Sequence, residues 1–277
     1  MARFDLHLHS DNSDGSDTTF ELWQKIRDNK IEIFALTDHD TVAGISDMRS
    51  LVTSDIKFIP AIELTSKARN IKCHILGYNI DETNSELLKL VEKGKTLRKQ
   101  KLDTRIKYLK EVWKIELSDE ELDWLYKRKS VVKTHIANIL VKRGLANDNI
   151  EAMKKYLDGC KTGNTRFDGE EVIKIIKLAG GNPVWAHPLG GEGEEHLTND
   201  KFLPKLATMI DFGIQGLECY YSRYTESEIG FLKECANKNG LMITGGSDYH
   251  GTNKTVLLGQ LNVNNSFVDS KELKLNF

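Results

Sequence analysis

The chain has 277 residues, of which 39% are hydrophobic and 29% are charged, and its formal net charge at pH 7 is −2. This composition is typical of a soluble globular protein, and we expect neither a membrane span nor a signal peptide, because no long apolar run occurs. We therefore expect a cytoplasmic protein, and its four cysteines, which form no C-x-x-C pair, argue against a disulfide framework or a thiolate zinc site.

Short apolar segments rich in β-branched residues predict seven strands, and helix-period segments separate most of them. In chain order they are "ARFDLHLH", "IEIFALTDHD", "KFIPAIELT", "IKCHILGY", "PVWAHP", "GLECYY" and "LMITGGSDYH". Helix starts are predicted at Ser118, Asp168 and Thr225, each of which stands three residues before a Glu. The alternation predicts an α/β fold, and the length suits one β/α barrel with an inserted lobe.

Residues 84–166 interrupt this alternation, because their pattern is helical throughout. We expect them to form a helical insertion, or cap, and residues 1–83 and 167–277 to form the barrel domain. The insertion holds 20 Lys and Arg against 12 Asp and Glu, a net charge of +8, whereas the rest of the chain carries −10. Either solvated helix faces or an anionic substrate explains such a basic lobe.

Histidines and carboxylates gather where the predicted strands end. Residues two apart in a strand share a face, so Asp5, His7 and His9 lie on one side of the first strand and apolar residues on the other. The later segments add Asp38, His39, Asp40, Glu63, His74, His187, Asp248 and His250. The carboxyl ends of barrel strands converge on one mouth, so we expect these residues to be neighbours.

This mixture of imidazoles and carboxylates suits Mn, Zn or Fe. A carboxylate can bridge two ions, which makes Glu63 and Asp248 the natural bridges. Closely spaced divalent ions lower the pKa of a shared water, and the hydroxide that results can attack a phosphoryl group without a protein nucleophile. The residues therefore predict closely spaced divalent metal ions as cofactors.

In content and order, these motifs resemble the PHP (polymerase and histidinol phosphatase) superfamily. The resemblance rests on "DLHLHSDNSDGSDT", "ALTDHDTVAG", "IPAIELTS", "CHILGYNI", "AGGNPVWAHP", "GLECYY" and "GGSDYHG". It implies a distorted (β/α)7 TIM-like barrel with up to three metal ions. The implied ligand sets, which share Glu63 and Asp248, are His7, His9, Glu63 and Asp248; Glu63, His74 and His187; and Asp14, His39, Asp248 and His250.

Within the superfamily, the chain is most similar to phosphoesterases with a helical insertion, which resemble nucleoside-3',5'-bisphosphate phosphatases and 5'-3' exonucleases of short RNA. The resemblance implies hydrolysis of phosphomonoesters of nucleotides (monophosphates or 3',5'-bisphosphates) or of short single-stranded oligonucleotides. Asp40 and His187 are candidates for proton transfer. The candidates for phosphate contacts, each of which also fits a surface or structural role, are Lys133, His135, Arg166 and Arg223.

Two motifs depart from these relatives. The chain has Lys133-Thr134-His135 where they usually have Arg-Pro-His, which exchanges a bidentate phosphate contact for a point charge. It also lacks the arginine that often follows His-Pro, since the segment after His187 reads "PLGGEGEEH". Phosphate recognition is therefore expected to differ from theirs.

Three other functions are compatible with parts of this pattern. A phosphatase acting on histidinol phosphate would use the same metal site. An amidohydrolase that cleaves carbon–nitrogen bonds also opens its barrel with H-x-H, but it does not need the third ion that Asp14, His39 and His250 supply. A module that binds metal without catalysis would have no evident need for a complete ligand set.

Overall fold

The computed structural model describes residues 3–163 and 165–277, and its centre is a sheet of eight strands. The strands are β1 (Arg3–Leu8), β2 (Ile31–Leu36), β3 (Lys57–Ala68), β4 (Ile71–Tyr78), β5 (Phe167–Asp168), β6 (Asn182–Trp185), β7 (Gly216–Tyr221) and β8 (Met242–Gly246). Seven of them coincide with the predicted segments. The two-residue β5, which pairs with β3, lies outside every predicted segment.

The sheet is mixed, with the order β1-β2-β3-β4-β6-β7-β8. β4 runs antiparallel to both of its neighbours, because a tight turn joins it directly to β3 without an intervening helix. The other pairs are parallel. β1 and β8 are linked by an isolated parallel bridge between Leu8 and Tyr249. The expected α/β class is confirmed, and closure into a (β/α)7 barrel stays a prediction.

Helices cover the sheet and fill the connections between strands. They are α1 (Thr19–Asp28), α2 (Ile45–Leu51), α3 (Ser85–Trp113), α4 (Asp119–Tyr126), α5 (Lys133–Lys142), α6 (Asn149–Ala152), α7 (Gly169–Leu178), α8 (Asn199–Asp211) and α9 (Glu226–Lys238). The predicted helix starts are confirmed: Ser118 and Thr225 form capping boxes, and Asp168 accepts a hydrogen bond from the backbone of Glu171. Such caps satisfy amide groups that the first turn leaves without partners.

The connection between β4 and β5 contains α3 to α6 and a π-helical turn, Met153–Leu157. The first half of α3 packs on the main core through Leu87, Leu90 and Val91. Its second half joins a separate hydrophobic cluster, to which Leu102 and Leu109 belong together with side chains of α4 to α6. These two clusters support a helical insertion at residues 84–166, whose bounds as a domain stay a prediction.

β1 shows how burial positions the functional side chains. Leu6 and Leu8 are fully buried in hydrophobic clusters, which stabilises the fold by about 1.5–3 kcal/mol for each side chain. Asp5, His7 and His9 on the alternate positions are equally buried, so the polar face of this strand also lies inside the protein. Within the described residues, no helix combines the length and the apolarity that a membrane span requires.

Candidate metal centre

The nine predicted metal ligands converge at one edge of the sheet, on and just beyond the ends of the strands. They are His7, His9, Asp14, His39, Glu63, His74, His187, Asp248 and His250. Among them only His39 and His74 are partly exposed. His74 reaches this edge from within β4, where it pairs with Thr65, because β4 runs opposite to β3.

Glu63 lies at the centre of the cluster. Its Oε2 atom is within 3.2 Å of three imidazole nitrogens, His7 Nε2, His9 Nε2 and His39 Nδ1. Its Oε1 atom lies 2.9 Å from His74 Nδ1 and 3.4 Å from His187 Nε2. The two oxygens therefore face different groups of imidazoles, which is the geometry of a carboxylate that bridges two ions.

Asp14 organises a second group of ligands. Its Oδ1 atom lies 3.2 Å from His250 Nε2, 3.8 Å from His9 Nδ1 and 3.9 Å from His39 Nε2. These four residues each offer a ligand atom within 4.8 Å of the others. Ligand atoms of His7, His9 and Glu63 lie equally close together, as do those of His39, His74 and Glu63. The three groups therefore share His9, His39 and Glu63.

Asp248 connects these groups. Its Oδ1 atom lies 3.4 Å from His9 Nε2, 3.6 Å from His7 Nε2 and 3.4 Å from His250 Nδ1. The residue follows β8 in a left-handed conformation with φ of 60°, and its amide donates to the carbonyl of His7 over 2.9 Å. The backbone therefore fixes the carboxylate against the first strand.

The carboxylates and imidazoles shift one another's pKa. Burial raises the pKa of the Glu63 carboxyl, but the surrounding imidazoles, that of His39 foremost, lower it well below its ordinary value. Burial lowers the pKa of His7, but the carboxylates of Glu218 and Glu63 raise it well above its ordinary value. The Glu63 carboxyl therefore stays ionised although it is buried, and its negative oxygens suit a bound cation.

The ligand atoms fit bound divalent ions. Six of them are buried and have no hydrogen-bond partner within the described residues: His7 Nε2, His9 Nε2, Asp14 Oδ1, His39 Nδ1, Glu63 Oε2 and His250 Nε2. A buried polar atom left in this state costs about 1–3 kcal/mol. Imidazole nitrogen and carboxylate oxygen are ligands that Zn, Mn and Fe accept, so metal coordination accounts for this set of atoms.

Glu218 holds two of the histidines and was absent from the predicted site. Its Oε1 atom lies 2.8 Å from His7 Nδ1, and its Oε2 atom accepts from the backbone amide of His187 over 2.6 Å. Because a carboxylate only accepts, His7 Nδ1 carries a proton toward Glu218, and Nε2 is the nitrogen that faces the cluster and could bind a metal ion. A buried Glu in the apolar segment "GLECYY" is the signal that could have identified it.

Other side chains orient the carboxylates and the loop that carries Asp14. Tyr221 and Lys254 donate to Asp248 Oδ2 over 3.0 and 2.7 Å, which leaves Oδ1 to face the histidines. Asp38 accepts from the hydroxyls of Ser10 and Ser13 over 2.7 and 2.6 Å. These contacts join residues distant in sequence, and no local pattern predicts them.

The two candidates for proton transfer occupy different environments. His187 lies at the metal centre, and its Nδ1 atom is 3.2 Å from Glu194 Oε2. Asp40 is buried, accepts the backbone amide of Thr65 over 2.8 Å and pairs with Arg98, whose Nε donates over 2.7 Å. Both Asp40 oxygens are therefore engaged away from the ligand cluster.

A cleft of about 600 Å³ opens beside His74 and His187. Lys133 and Arg166, both predicted to contact phosphate, line it together with Lys72 and Lys205. Of these, Lys133 also pairs with Asp158, and Arg166 donates to carbonyl groups of the β3–β4 hairpin. The cleft therefore joins the metal centre to a wall that holds these four cations, and Glu194 and Glu195 line it as well.

The other two predicted phosphate contacts lie outside that wall. His135 is buried, its Nδ1 accepts from the amide of Val132 over 3.0 Å, and burial lowers its pKa to about 4. Arg223 is half-exposed and pairs with Glu192 over 3.0 Å. Neither residue lines the cleft, although His135 Nε2 has no hydrogen-bond partner among the described residues and an anion can compete with Glu192 for the exposed Arg223.

Comparisons with known proteins agree with this geometry. The 5'-3' exoribonuclease Rnm of Escherichia coli is 28% identical over 264 residues, which cover 93% of this chain and 88% of that protein. A 3',5'-nucleoside bisphosphate phosphatase of Chromobacterium violaceum is 28% identical over 260 residues, covering 90% of this chain and 88% of that protein. An amidohydrolase of Chromobacterium violaceum, solved with sulfate and no metal, matches with a TM-score of 0.81 at 25% identity over 92% of this chain and 90% of that one.

The family model of the PHP domain matches residues 5–165, which is more than half of the chain. Six of the nine candidate ligands lie in this range, and His187, Asp248 and His250 lie beyond it. The two enzymes compared above align with about nine-tenths of the chain, so their similarity extends past the matched range. On this evidence the chain belongs to the PHP domain family.

Proposed function

We propose that this protein is a metal-dependent phosphoesterase that hydrolyses phosphomonoesters of nucleotides or short single-stranded oligonucleotides. The observation that carries the proposal is the cluster of nine ligands, with its unpartnered buried atoms, directly beside a cationic cleft. The carboxylates of the ligand cluster favour metal cations, and the Lys and Arg side chains of the cleft wall favour an anionic substrate. The names of two relatives, an exoribonuclease and a nucleoside bisphosphate phosphatase, describe hydrolysis of phosphoesters. These names support RNA or nucleotides as the substrate class.

The ligand sets implied by the family motifs are compatible with the distances. We assign His7 and His9 with Glu63 and Asp248 to a first ion, and His74 and His187 with Glu63 to a second. Asp14, His39 and His250, with Asp248, form the proposed third set. Divalent ions such as Mn, Zn or Fe would supply a water of lowered pKa and stabilise charge on the phosphoryl oxygens.

The chain's own residues supply the remaining functions. Lys133 and Arg166 are proposed to bind the phosphoryl groups of the substrate in the cleft. His187, held between Glu63 and Glu194, is the better candidate for proton transfer. Asp40 is instead proposed to position β2 against α3, since Arg98 and Thr65 occupy its oxygens.

One comparison favours a second candidate function. The amidohydrolase of Chromobacterium violaceum shares the fold at 25% identity, and its name implies cleavage of an amide. The sulfate bound in that structure resembles a phosphate in shape and charge, however. The bound ion therefore does not distinguish an amidohydrolase from a phosphoesterase. Histidinol phosphate stays a third possibility for the substrate, because it is also a phosphomonoester.

A single screen tests the proposal. Metal-loaded protein should release phosphate from nucleoside monophosphates, nucleoside bisphosphates, short RNA or histidinol phosphate, with metal content measured on the same sample. Glu63→Gln should lower the rate by at least about 100-fold, since it removes the central charge of the cluster, and Glu120→Gln on the exposed face of α4 should not. Turnover of amides without turnover of any phosphoester would favour the amidohydrolase and overturn the proposal.

A further inference from the structure

A second cationic cavity, of about 260 Å³, lies in the insertion between α3, α4 and the loop that follows α4. Five cations line it: Lys95, Arg98, Lys99, Arg128 and Lys129. The spacing of residues 95, 98, 99 and 102 places the α3 members on one face of the helix. We call this space the α3–α4 cavity, and among the described residues no carboxylate lines it.

Three of these cations keep their charge available. Lys129 donates to the amide oxygen of Asn12 over 2.7 Å, and Arg128 donates to the backbone carbonyl of Asp11. Lys99 lies over the ring of Tyr126, 5.5 Å from its centroid. All three partners are neutral groups, so within the described part of the chain no ion pair cancels these charges.

The other two cations are paired. Arg98 is buried against Asp40, and Lys95 forms an exposed ion pair with Glu92 over 2.9 Å. Such an exposed pair is worth about 0–1 kcal/mol, so an anion can compete for Lys95. The cavity therefore has an unbalanced positive charge that suits an anionic ligand.

Aromatic and apolar groups complete the cavity. Tyr126 forms part of its wall and is 45% exposed, and Leu102 and Leu125 lie beneath it. Trp124, which is 40% exposed, is not part of the lining but lies against one of its cations, with Arg128 5.2 Å from its ring centroid. Exposed rings flanked by cations are the surface that stacks unpaired bases and binds the phosphates between them.

The cavity is close to the cleft of the metal centre. Lys129 lines the cavity and Lys133 lines the cleft, and four residues of fully extended chain span at most about 14 Å. Between them, Ser130 donates to the backbone carbonyl of His39 over 2.6 Å, which ties this loop to the ligand cluster. One short strand can therefore contact both sites.

We propose that the α3–α4 cavity binds one nucleotide unit of a single-stranded nucleic acid whose end lies in the cleft. Its volume of about 260 Å³ is just below the roughly 300–1,000 Å³ that is usual for ligand pockets, which suits one nucleotide and not a duplex. Lys95, Lys99 and Arg128 bind the phosphates, and Tyr126 stacks on a base. The choice of a nucleic acid rests on the proposed function, whereas the anion site rests on the cavity itself.

The test is a binding measurement on the full chain with chelator present, so that no hydrolysis occurs. The probe is a fluorescent single-stranded RNA hexanucleotide, and its anisotropy is followed at several salt concentrations. The double variant Lys95→Ala/Lys99→Ala should raise the dissociation constant about tenfold and reduce the slope of log affinity against log salt by roughly 1.4, for two phosphate contacts on a single strand.

The matched control removes two other lysines of the same helix. Lys107 and Lys110 are exposed, form ion pairs with Glu111 and Glu116, and lie outside the cavity. Lys107→Ala/Lys110→Ala should change the dissociation constant by less than about twofold, because a general loss of surface charge has a small effect. Equal weakening by both double variants would overturn the cavity as the site.

Two further measurements separate the inference from the proposed function. A hexapeptide of glutamate bound as tightly as the RNA, with the same loss in Lys95→Ala/Lys99→Ala, would overturn the nucleic acid as ligand. If the protein binds the RNA through these lysines but hydrolyses no phosphoester, the proposed function fails and the cavity assignment stands. If it hydrolyses mononucleotides and binds RNA equally well in wild type and variant, only the cavity assignment fails.

Discussion

Asp40, His187 and Asp248 adopt left-handed backbone conformations with φ of 53°, 29° and 60°, each within two residues of a strand end or a bridge residue near the metal centre. Residues other than glycine rarely adopt this region, because the Cβ atom crowds the backbone. At each position the chain turns sharply and directs a polar side chain back into the protein. Three of the eight residues other than glycine with positive φ in the described part of the chain thus lie at or beside the metal centre, where the turn sets the direction of a polar side chain.

The contact of Glu218 with His7 gives a prediction at the scale of one residue. Glu218→Gln keeps the shape of the side chain but removes the charge that holds the proton on His7 Nδ1. Loss of such a partner weakens metal affinity by about 10–100-fold. We expect activity to require correspondingly more free metal, with a rate at saturating metal close to that of the wild type, and metal-buffered titrations of activity would measure this.

Glu226→Gln is the control for this substitution, because Glu226 is exposed in the first turn of α9 and lies away from the metal centre. It should leave the metal requirement unchanged. An unchanged requirement in Glu218→Gln as well would show that His7 is positioned by packing alone.

At the scale of elements, local patterns predicted those parts of the fold that depend on near neighbours. Seven strands follow from apolar runs, and the helix start at Ser118 follows from a capping side chain three residues before Glu121. The two-residue β5 depends on the pairing of Phe167 with Ser66, a hundred residues earlier, so its own sequence carries little signal. The antiparallel direction of β4 could not be predicted either, because an apolar segment does not indicate whether its strand runs parallel or antiparallel to its neighbours.

The same distinction applies to the metal centre. Most candidate ligands were predicted because His and carboxylates lie at the ends of strands, which carry them to one edge, whereas Asp14 was predicted only from the family resemblance. Glu218, Lys254 and the pair of Arg98 with Asp40 were missed, because each acts through a partner that the fold brings from far along the chain. For this reason the phosphate contacts were also harder to predict: His135 is an interior residue, whereas Lys133 lines the cleft.

The pair of Arg98 on α3 with Asp40 after β2 joins the insertion to the sheet, and both side chains are buried. Arg98→Met should lower the free energy of unfolding by about 3–5 kcal/mol, because it leaves a buried carboxylate without its partner. Urea denaturation followed by circular dichroism measures the change.

Arg49→Met provides the comparison, since Arg49 forms an exposed pair with Glu82 over 2.7 Å. Removing it should cost about 0–1 kcal/mol. The double variant Arg98→Met/Asp40→Asn should recover part of the loss, because no unpaired charge stays buried. Equal urea midpoints for Arg98→Met and Arg49→Met would contradict the proposed role of the buried pair.

At the scale of the whole molecule, opposite charges are separated in space. The insertion segment, residues 84–166, carries +8 and the remainder −10, although the chain is nearly neutral. The buried carboxylates of Asp14 and Glu63 lie at the metal centre, and cations line both the cleft and the α3–α4 cavity. An anionic substrate is thus attracted to the metal centre by the insertion and by the ions, and not by the ligands themselves.

The buried ligand cluster predicts that the stability of the molecule depends on bound cations. The ligand cluster buries several carboxylates and unpartnered imidazole atoms, and cations that bind only the folded chain stabilise it by mass action. Free metal at a hundred times its dissociation constant contributes about 2.7 kcal/mol. Removal by a chelator should therefore lower the melting temperature, and Mn²⁺ or Zn²⁺ should restore it, as calorimetry would show.

Glu63→Gln distinguishes ion binding from a general effect of the chelator, because it reduces the negative charge at the centre of the cluster. Its melting temperature should respond little to either treatment. Activity measured on the same samples then separates catalysis from a structural role. If the metal-loaded protein releases phosphate and the chelator lowers its melting temperature, the ions serve both catalysis and stability. Loss of stability in a chain that never releases phosphate would leave a metal-binding module, and an unchanged melting temperature would mean that the buried ligand atoms are satisfied in some other way.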